Sequence, residues 1–182
     1  LYEEFDNYVG LKNLKQSLKD FITYLNFINE RKKSGVETEE SISANCIFLG
    51  NPGTGKTSIA RLLGKFFKAI GLLENGHVIE VDRADLIGEY IGETAQKTEK
   101  VINQALGGIL FIDEAYSLKK ENSGQDFGQE AIDIILKRME DYKGKFFVIA
   151  AGYPALMQNF LESNPGLKSR FTHYFSFDDY TA

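Results

Sequence analysis

The chain has 182 residues, of which 43% are hydrophobic and 26% are charged. This length is enough for one sizeable hydrophobic core and falls short of the size at which a second domain becomes the rule. The formal net charge of -5 argues against a protein that holds nucleic acid through a broad basic surface.

The apolar segments and the single cysteine narrow the class of protein further. The longest apolar runs, at 109–112 and 146–151, are far shorter than the roughly 20 residues that a membrane-spanning helix needs. Cys46 lies in a predicted strand, where we expect a small buried side chain. One cysteine permits no internal disulfide, and no targeting segment is visible, so we expect a cytoplasmic protein without a membrane partner. Because the chain begins at Leu1 and ends just after a predicted strand, we expect it to be an excised part of a longer protein.

The N-terminal part of the chain predicts one long amphipathic helix. Apolar residues recur at three- and four-residue steps from Leu11 to Ile28, with polar residues between them. Three basic residues and Gly35 suit the end of this helix near Ser34. The polar segment 37–41 is expected to be a surface connection. Residues 1–43 are therefore predicted to form an N-terminal helix and connection, and residues 44–182 the core of the domain.

A phosphate-binding loop is predicted directly after the first strand. The sequence from 50 to 57 has a glycine, four residues and then Gly-Lys-Thr, between an apolar run at 44–49 and a helical pattern from Ile59 to Ile70. Glycines let backbone N–H groups and the helix N-terminus converge on phosphate oxygens. The alternative is a glycine-rich turn that binds nothing. The residues expected to contact a nucleotide here are Asn51, Pro52, Gly53, Thr54, Gly55, Lys56, Thr57 and Ser58.

Two side chains of this loop carry specific chemistry. Lys56 brings a positive charge toward the β- and γ-phosphates. Thr57 offers a hydroxyl to Mg²⁺, which bridges those phosphates and offsets their charge.

Further strands alternate with helices along the rest of the chain. Strands are predicted at 77–81, 109–112, 145–151 and 173–177, and helices at 94–105, around 132–139 and at 154–161, with a loop over 117–128. The strand sequences include continuous apolar runs and alternate with helices. This pattern predicts a mostly parallel sheet covered by helices on both faces, an α/β fold. Ligands of such sheets bind at the carboxyl ends of the strands. The phosphate-binding loop, Asp113-Glu114 and Gly152-Tyr153 are therefore expected to meet at one edge.

Asp113 and Glu114 end the apolar strand at 109–112. Beside a phosphate-binding loop, Asp113 can hold Mg²⁺ directly or through water, and Glu114 can polarise the attacking water. The alternative is that the acidic pair caps the next helix. The two histidines, His77 and His173, have no ligand-like spacing and are expected to be structural, so Mg²⁺ is the only metal that we expect.

The two motifs together resemble the Walker A and Walker B sequences of AAA+ ATPases. The resemblance runs from about Tyr8 to Phe177 and is narrowed to one clade by Tyr90-Ile91-Gly92, Ala151-Gly152-Tyr153 and the segments 107–116, 128–132 and 163–171. That clade contains the red-type rubisco activases, the stage V sporulation protein K group and the ATPases of type VII secretion. The resemblance implies a P-loop NTPase fold, the AAA+ large subdomain, with a parallel five-stranded sheet in a three-layer sandwich. The small helical lid subdomain is expected to be absent.

The resemblance also implies roles for residues that spacing alone leaves open. Val9 and Gly10 resemble the adenine-contacting entry of the family, the alternative being a simple helix start. Arg170 matches the arginine finger that reaches the γ-phosphate of a neighbouring subunit, the alternative being a solvated surface charge.

Tyr90-Ile91-Gly92 matches the pore loop of substrate-threading rings, where an aromatic side chain grips polypeptide and a glycine gives the loop freedom to move. Without the resemblance, Tyr90 would be an ordinary half-buried tyrosine. One departure concerns the fourth strand, which in the family usually ends in an asparagine that orients the attacking water. Here Ala150-Ala151 leads to Gly152-Tyr153.

The sequence thus predicts the ATP- and Mg²⁺-dependent core of a hexameric motor that hydrolyses ATP to remodel a protein partner. The homo-oligomer is expected of the full-length protein, and a monomer is left open for the fragment. No nucleic acid partner is expected. Two alternatives stay open. The first is a scaffold that binds partners according to nucleotide state with little turnover, and the second is a DNA-directed loader, which the acidic charge and Tyr90-Ile91-Gly92 disfavour.

Overall fold

The strands form one parallel sheet. The computed structural model describes residues 1–6, 12–36, 42–119 and 127–179. Within them the sheet has five strands in the order β2-β3-β4-β1-β5, and every neighbouring pair is parallel. The strands are β1 (Cys46–Gly50), β2 (Val78–Val81), β3 (Ile109–Ile112), β4 (Phe147–Gly152) and β5 (His173–Phe177). The predicted five-stranded parallel α/β fold is confirmed.

Helices fill the connections, as parallel neighbours require. Those predicted from periodicity are present, with bounds shifted by a few residues, and α2 is followed by Gly35 with a left-handed φ of 75°. The described helices are α1 (Tyr2–Asp6), α2 (Lys12–Lys33), α3 (Lys56–Ala69), α4 (Arg83–Leu86), α5 (Glu93–Ala105), a 3-10 helix (Ala115–Leu118), α6 (Phe127–Asp141), α7 (Pro154–Glu162) and α8 (Pro165–Arg170).

The short helices were not predicted, and one prediction was wrong in part. A loop was predicted over 117–128, but residues 115–118 form the 3-10 helix, so residues 117 and 118 are helical. The four residues of α4 are too few for a periodic pattern. This helix is stabilised by a capping box, in which Asp82 accepts hydrogen bonds from the backbone N–H groups of Ala84 and Asp85 at 3.0 and 3.4 Å.

The core consists of one apolar cluster on each face of the sheet. Cys46 and Phe48 of β1 lie in the cluster beneath α2 and α3, whereas Ile47 lies in the cluster beneath α5, α6 and α7. Phe111 and Leu110 of β3 divide between the faces in the same way. This alternation follows from the two-residue period of a strand, and it produces the three layers that were predicted.

Both histidines lie at the amino end of the sheet and have close neighbours. His77 Nε2 lies 2.7 Å from the carbonyl oxygen of Gln104. The His173 ring packs against Phe21 with ring centroids 4.5 Å apart, and burial lowers the pKa of this imidazole. These contacts support the structural role expected of them.

Among the helices in the described ranges, none is long and apolar enough to cross a membrane.

One close backbone approach holds α3 against the turn that leads to β2. A Cβ atom added at Gly64 would lie 2.2 Å from the carbonyl oxygen of Gly76, well inside van der Waals contact. The neighbour is backbone and cannot rotate away. The packing of α3 against this turn therefore depends on glycine at position 64.

We expect Gly64→Ala to lower the free energy of unfolding by about 1–2 kcal/mol, because the overlap outweighs the better helix propensity of alanine. Denaturant unfolding followed by circular dichroism measures this change. Lys65→Ala, at the neighbouring exposed position of α3, is the matched control and should change stability by no more than about 0.5 kcal/mol. Equal stability of the two variants would contradict the close approach.

Candidate nucleotide-binding site

The carboxyl ends of β1, β3 and β4 surround a cavity of about 380 Å³. The phosphate-binding loop forms one wall, Asp113 and Glu114 form a second, and Gly152 and Tyr153 form a third. These are the three segments that the sheet topology was expected to bring to one edge. The cavity therefore combines a loop suited to anions with carboxylates suited to a cation.

The backbone of the loop takes conformations that glycine permits. Gly53 and Gly55 have left-handed φ angles of 77° and 87°. At Gly50, a Cβ atom would lie 2.7 Å from the carbonyl oxygen of Phe177 in the neighbouring strand β5. Gly55 is the N-cap of α3 and has no side chain to satisfy the first N–H groups of that helix. These N–H groups are available to a phosphate.

Lys56 is buried beneath the loop. Its ammonium donates to the carbonyl oxygens of Gly50 and Asn51 at 2.6 and 3.0 Å. Burial lowers the pKa of Lys56, while the negative charges of Asp113 and Glu114 act in the opposite direction. An ammonium has three donors, so two carbonyls leave one donor free, and the cation is held in the wall of the cavity.

The acidic pair has an unusual backbone. Among the described residues other than glycine, Glu114 alone has a positive φ, of 49°. Backbone in this region carries strain for a residue with a side chain and often marks a functional site. Asp113 Oδ1 accepts the backbone N–H of Glu114 at 3.0 Å. Glu114 stands at the N-cap of the 3-10 helix but makes no side-chain capping hydrogen bond, which disfavours the alternative of a simple cap.

The donors in the cavity fit a magnesium ion that is held together with a nucleotide. Mg²⁺ usually takes one or two protein oxygens and completes its shell with phosphates and water. The Thr57 hydroxyl and the Asp113 carboxylate are oxygen donors of this kind on the cavity wall. No group of three His, Cys, Asp or Glu side chains suited to a metal occurs within the described residues. A magnesium ion held by Thr57 and Asp113 would take its remaining ligands from phosphate and water.

Two side chains at this site, Tyr116 and Asp179, were given no role by the sequence analysis. The Tyr116 and Tyr153 rings lie 6.5 Å apart, and burial together with the nearby charge of Glu114 raises the pKa of Tyr116. The Asn51 amide donates to both carboxylate oxygens of Asp179 at 2.9 Å, which ties the loop to the segment after β5. Asn51 and Asp179 are 128 positions apart in the sequence, so no local pattern predicts this contact.

Other predicted site residues lie away from the cavity. Arg170 ends α8, ahead of β5, and so lies at the amino edge of the sheet, opposite the loop. Its guanidinium is 3.9 Å from Glu140, and its Nε is buried without a hydrogen-bond partner within the described structure. Tyr90 and Ile91 are 69% and 80% exposed, so Tyr90 is not half-buried. Gly92, beside them, has a left-handed φ of 89°. The predicted contacts of Val9 and Gly10 fall outside the described residues.

A strand, a glycine-rich loop and a helix beside an acidic strand end define a P-loop nucleotide-binding domain of α/β architecture. Residues 46–179 match the AAA family, the ATPase family associated with various cellular activities. The chain belongs to this family of ATPases.

Individual relatives share much of the sequence. The chain is 47% identical to stage V sporulation protein K of Bacillus subtilis (strain 168), with 98% of this chain and 55% of the relative aligned. It is 43% identical to protein CbbX of Cereibacter sphaeroides, over 98% of this chain and 58% of the relative. The chloroplastic ribulose bisphosphate carboxylase/oxygenase activase of Cyanidioschyzon merolae (strain NIES-3377 / 10D) is 41% identical, over 95% and 59%. The chain thus spans little more than half the length of these relatives.

We expect Lys56→Met to weaken the binding of ATP about tenfold or more, because a charge-assisted hydrogen bond contributes about 1.5–3 kcal/mol. Calorimetric titration with an ATP analogue that hydrolyses slowly, in the presence of Mg²⁺, measures the affinity. Lys65→Met makes the same substitution at an exposed position of α3 and should leave the affinity unchanged. Equal affinities for the two variants would rule out a phosphate contact for Lys56.

Proposed function

We propose that the chain is the ATP-hydrolysing core of an AAA+ ring motor that remodels a protein partner. The observation that carries this proposal is the cavity that Lys56, Thr57, Asp113 and Glu114 line together. A loop for phosphates alone would suit any nucleotide-binding protein. The two carboxylates at the end of β3 are what hydrolysis requires in addition.

The proposed roles follow from the positions of the side chains. Mg²⁺, when bound, would offset the negative charge of the phosphates. Thr57 and Asp113 would hold this ion, and the N–H groups of the loop together with Lys56 would hold the phosphates. Glu114 would orient the attacking water and accept its proton. Loop residues from Asn51 to Ser58 would complete the contacts to the nucleotide.

A site shared between subunits is supported by the position of Arg170. In the register of the sheet, His173 pairs with Cys46 and Phe177 pairs with Gly50, so the whole of β5 separates Arg170 from the level of the loop. Five residues of strand measure roughly 13 Å from first to last Cα, more than an arginine side chain spans. Arg170 would therefore act on the nucleotide of a neighbouring subunit, in a homo-oligomer that we take to be a hexamer.

The weak anchoring of Arg170 supports the same role. Its ion pair with Glu140 is long, at 3.9 Å, and its Nη1 is 3.4 Å from the hydroxyl of Ser169. Little interaction energy would be lost when the guanidinium turned to a neighbour. A cation at this place would stabilise the negative charge that spreads over the transferred phosphoryl group.

The exposed loop that contains Tyr90 supports a polypeptide as the substrate of the motor. The base of the loop is fixed, because Glu93 Oε2 accepts the backbone N–H groups of Glu89 and Tyr90 at 3.0 and 3.2 Å. Its tip, Tyr90 and Ile91, presents large apolar side chains to the surroundings. Such a tip grips polypeptide through apolar contact without demanding a sequence. One relative is named as an activase of a carboxylase, which is itself a protein.

The cytoplasmic location and the division at residue 43 stay predictions.

A mixing experiment tests hydrolysis and the shared site together. We expect Glu114→Gln and Arg170→Ala each to lower steady-state ATP hydrolysis by the full-length protein, on the order of 10³-fold. Mixing the two variants should restore part of the activity, since an Arg170→Ala subunit keeps Glu114 and can receive Arg170 from a Glu114→Gln neighbour. A mixture no more active than its parts would contradict catalysis across the interface. Normal hydrolysis by Glu114→Gln would contradict the assignment of that residue.

Tyr90→Ala tests the threading role. We expect this variant to keep its basal ATP hydrolysis, because Tyr90 lies outside the cavity, and to lose the stimulation produced by a permanently unfolded model polypeptide. Tyr24→Ala removes another exposed tyrosine, on α2, and should retain the stimulation. Unchanged stimulation in Tyr90→Ala would remove the loop from the mechanism.

A further inference from the structure

One acidic side chain approaches the nucleotide site from a strand to which the sequence analysis gave no functional part. Glu80 lies within β2, in register with Phe111 of β3. Val78, two residues earlier on the same strand, packs against the cluster that lies beneath α3. Residues two apart in a strand share a face, so Glu80 also faces α3. The first turn of that helix carries Thr57.

The two oxygens of the Glu80 carboxylate have different partners on α3. Thr57 Oγ1 donates a hydrogen bond to Oε1 at 3.3 Å. Arg61 Nη2, one turn further along the helix, lies 3.6 Å from Oε2. Both side chains of this ion pair are well exposed, so it adds little to stability. The ion pair therefore also contributes little to holding the carboxylate beside Thr57.

The contact with Thr57 bears directly on metal binding. A hydroxyl has one proton and two lone pairs. An oxygen that binds Mg²⁺ uses a lone pair, so its proton must be directed to a different acceptor. Asp113 is itself a candidate ligand, and its Oδ1 already accepts the backbone N–H of Glu114 at 3.0 Å. Glu80 can accept the hydrogen bond of the Thr57 hydroxyl, and the Asp113 carboxylate then stays available to bind the ion.

We propose that Glu80 is a positioning residue for Mg²⁺: its carboxylate takes the hydrogen bond of the Thr57 hydroxyl and thereby turns a lone pair of that oxygen toward the ion. The inference rests on the proposed function and deepens it. Partners of this kind orient metal ligands and raise their basicity, and their removal costs about 10- to 100-fold in metal affinity. The negative charge of Glu80 also attracts the cation while it repels the phosphates.

Glu80 is thus expected to favour the binding of Mg²⁺ and to disfavour the binding of phosphates. Because these effects on affinity have opposite signs, binding measurements can test the role of Glu80 without hydrolysis. The quantity is the affinity for a slowly hydrolysed ATP analogue in excess Mg²⁺, divided by the affinity in EDTA. This ratio reports the coupling between metal and nucleotide. For Glu80→Ala in the full-length protein we expect the ratio to fall about tenfold. The affinity in EDTA should stay the same or rise, since a charge that repels the phosphates is gone.

Two further variants test whether the fall in this ratio comes from the contact between Glu80 and Thr57. Glu80→Gln keeps an acceptor oxygen without the charge, and should retain more of the Mg²⁺ effect than Glu80→Ala does. Arg61→Ala is the matched control, because it removes the other partner of Glu80 and leaves the Thr57 contact in place. The ratio for Arg61→Ala should stay within about twofold of the wild-type value. Thermal unfolding verifies that all variants fold.

Each outcome separates this inference from the proposed function on which it rests. A wild-type ratio in Glu80→Ala would overturn the role of Glu80 alone. An equal loss of affinity with and without Mg²⁺ would also overturn it, because that result indicates a structural defect. A wild-type protein that binds no nucleotide in either condition would overturn the proposed function itself.

Discussion

Lys56 keeps its ammonium beneath the carbonyl oxygens of Gly50 and Asn51, where burial works against its charge and the acidic strand end works in its favour. A buried cation must have close partners, since desolvation otherwise costs more than the structure gains. This requirement shapes the surroundings. The loop must curl so that its carbonyls reach the ammonium, which needs left-handed glycines at 53 and 55. The strand that carries Asp113 must end at the same edge of the sheet as β1, and the parallel direction of the strands ensures that it does.

The sheet divides the chemistry between its two edges. The loop, the carboxylates and Tyr153 lie where the strands end, whereas Arg170 lies where β5 begins. A parallel sheet cannot bring a residue from one edge to the other within the same subunit, because the length of a strand lies between them. A subunit whose neighbour presents the opposite edge overcomes this separation. The proposed ring is one arrangement in which this separation between the two edges would be overcome.

A chain of direct contacts runs from the cavity to the exposed loop. Arg83 Nη1 donates to the carbonyl oxygens of Ser117 and Leu118 at 2.6 and 3.1 Å, in the 3-10 helix that follows Glu114. Arg83 begins α4, and α4 leads within a few residues to Tyr90. The left-handed backbone of Glu114 starts this chain of contacts at the cavity. Two hydrogen bonds from Arg83 and a short stretch of chain thus connect the wall of the cavity with the segment that holds Tyr90.

The sequence by itself determined the features whose physical cause is local. Glycine spacing and the Lys-Thr pair predicted the phosphate loop, apolar runs predicted the parallel strands, and β5 has the predicted bounds of His173–Phe177. The order of the strands, the left-handed Glu114 and the proximity of Glu80 to Thr57 were decided by the tertiary structure. These features depend on distances between residues far apart in the chain, or on a backbone angle that the surrounding packing imposes. Neither kind of feature produces a periodic pattern in the sequence. The role proposed for Glu80 therefore became visible only from the position of α3 beside β2.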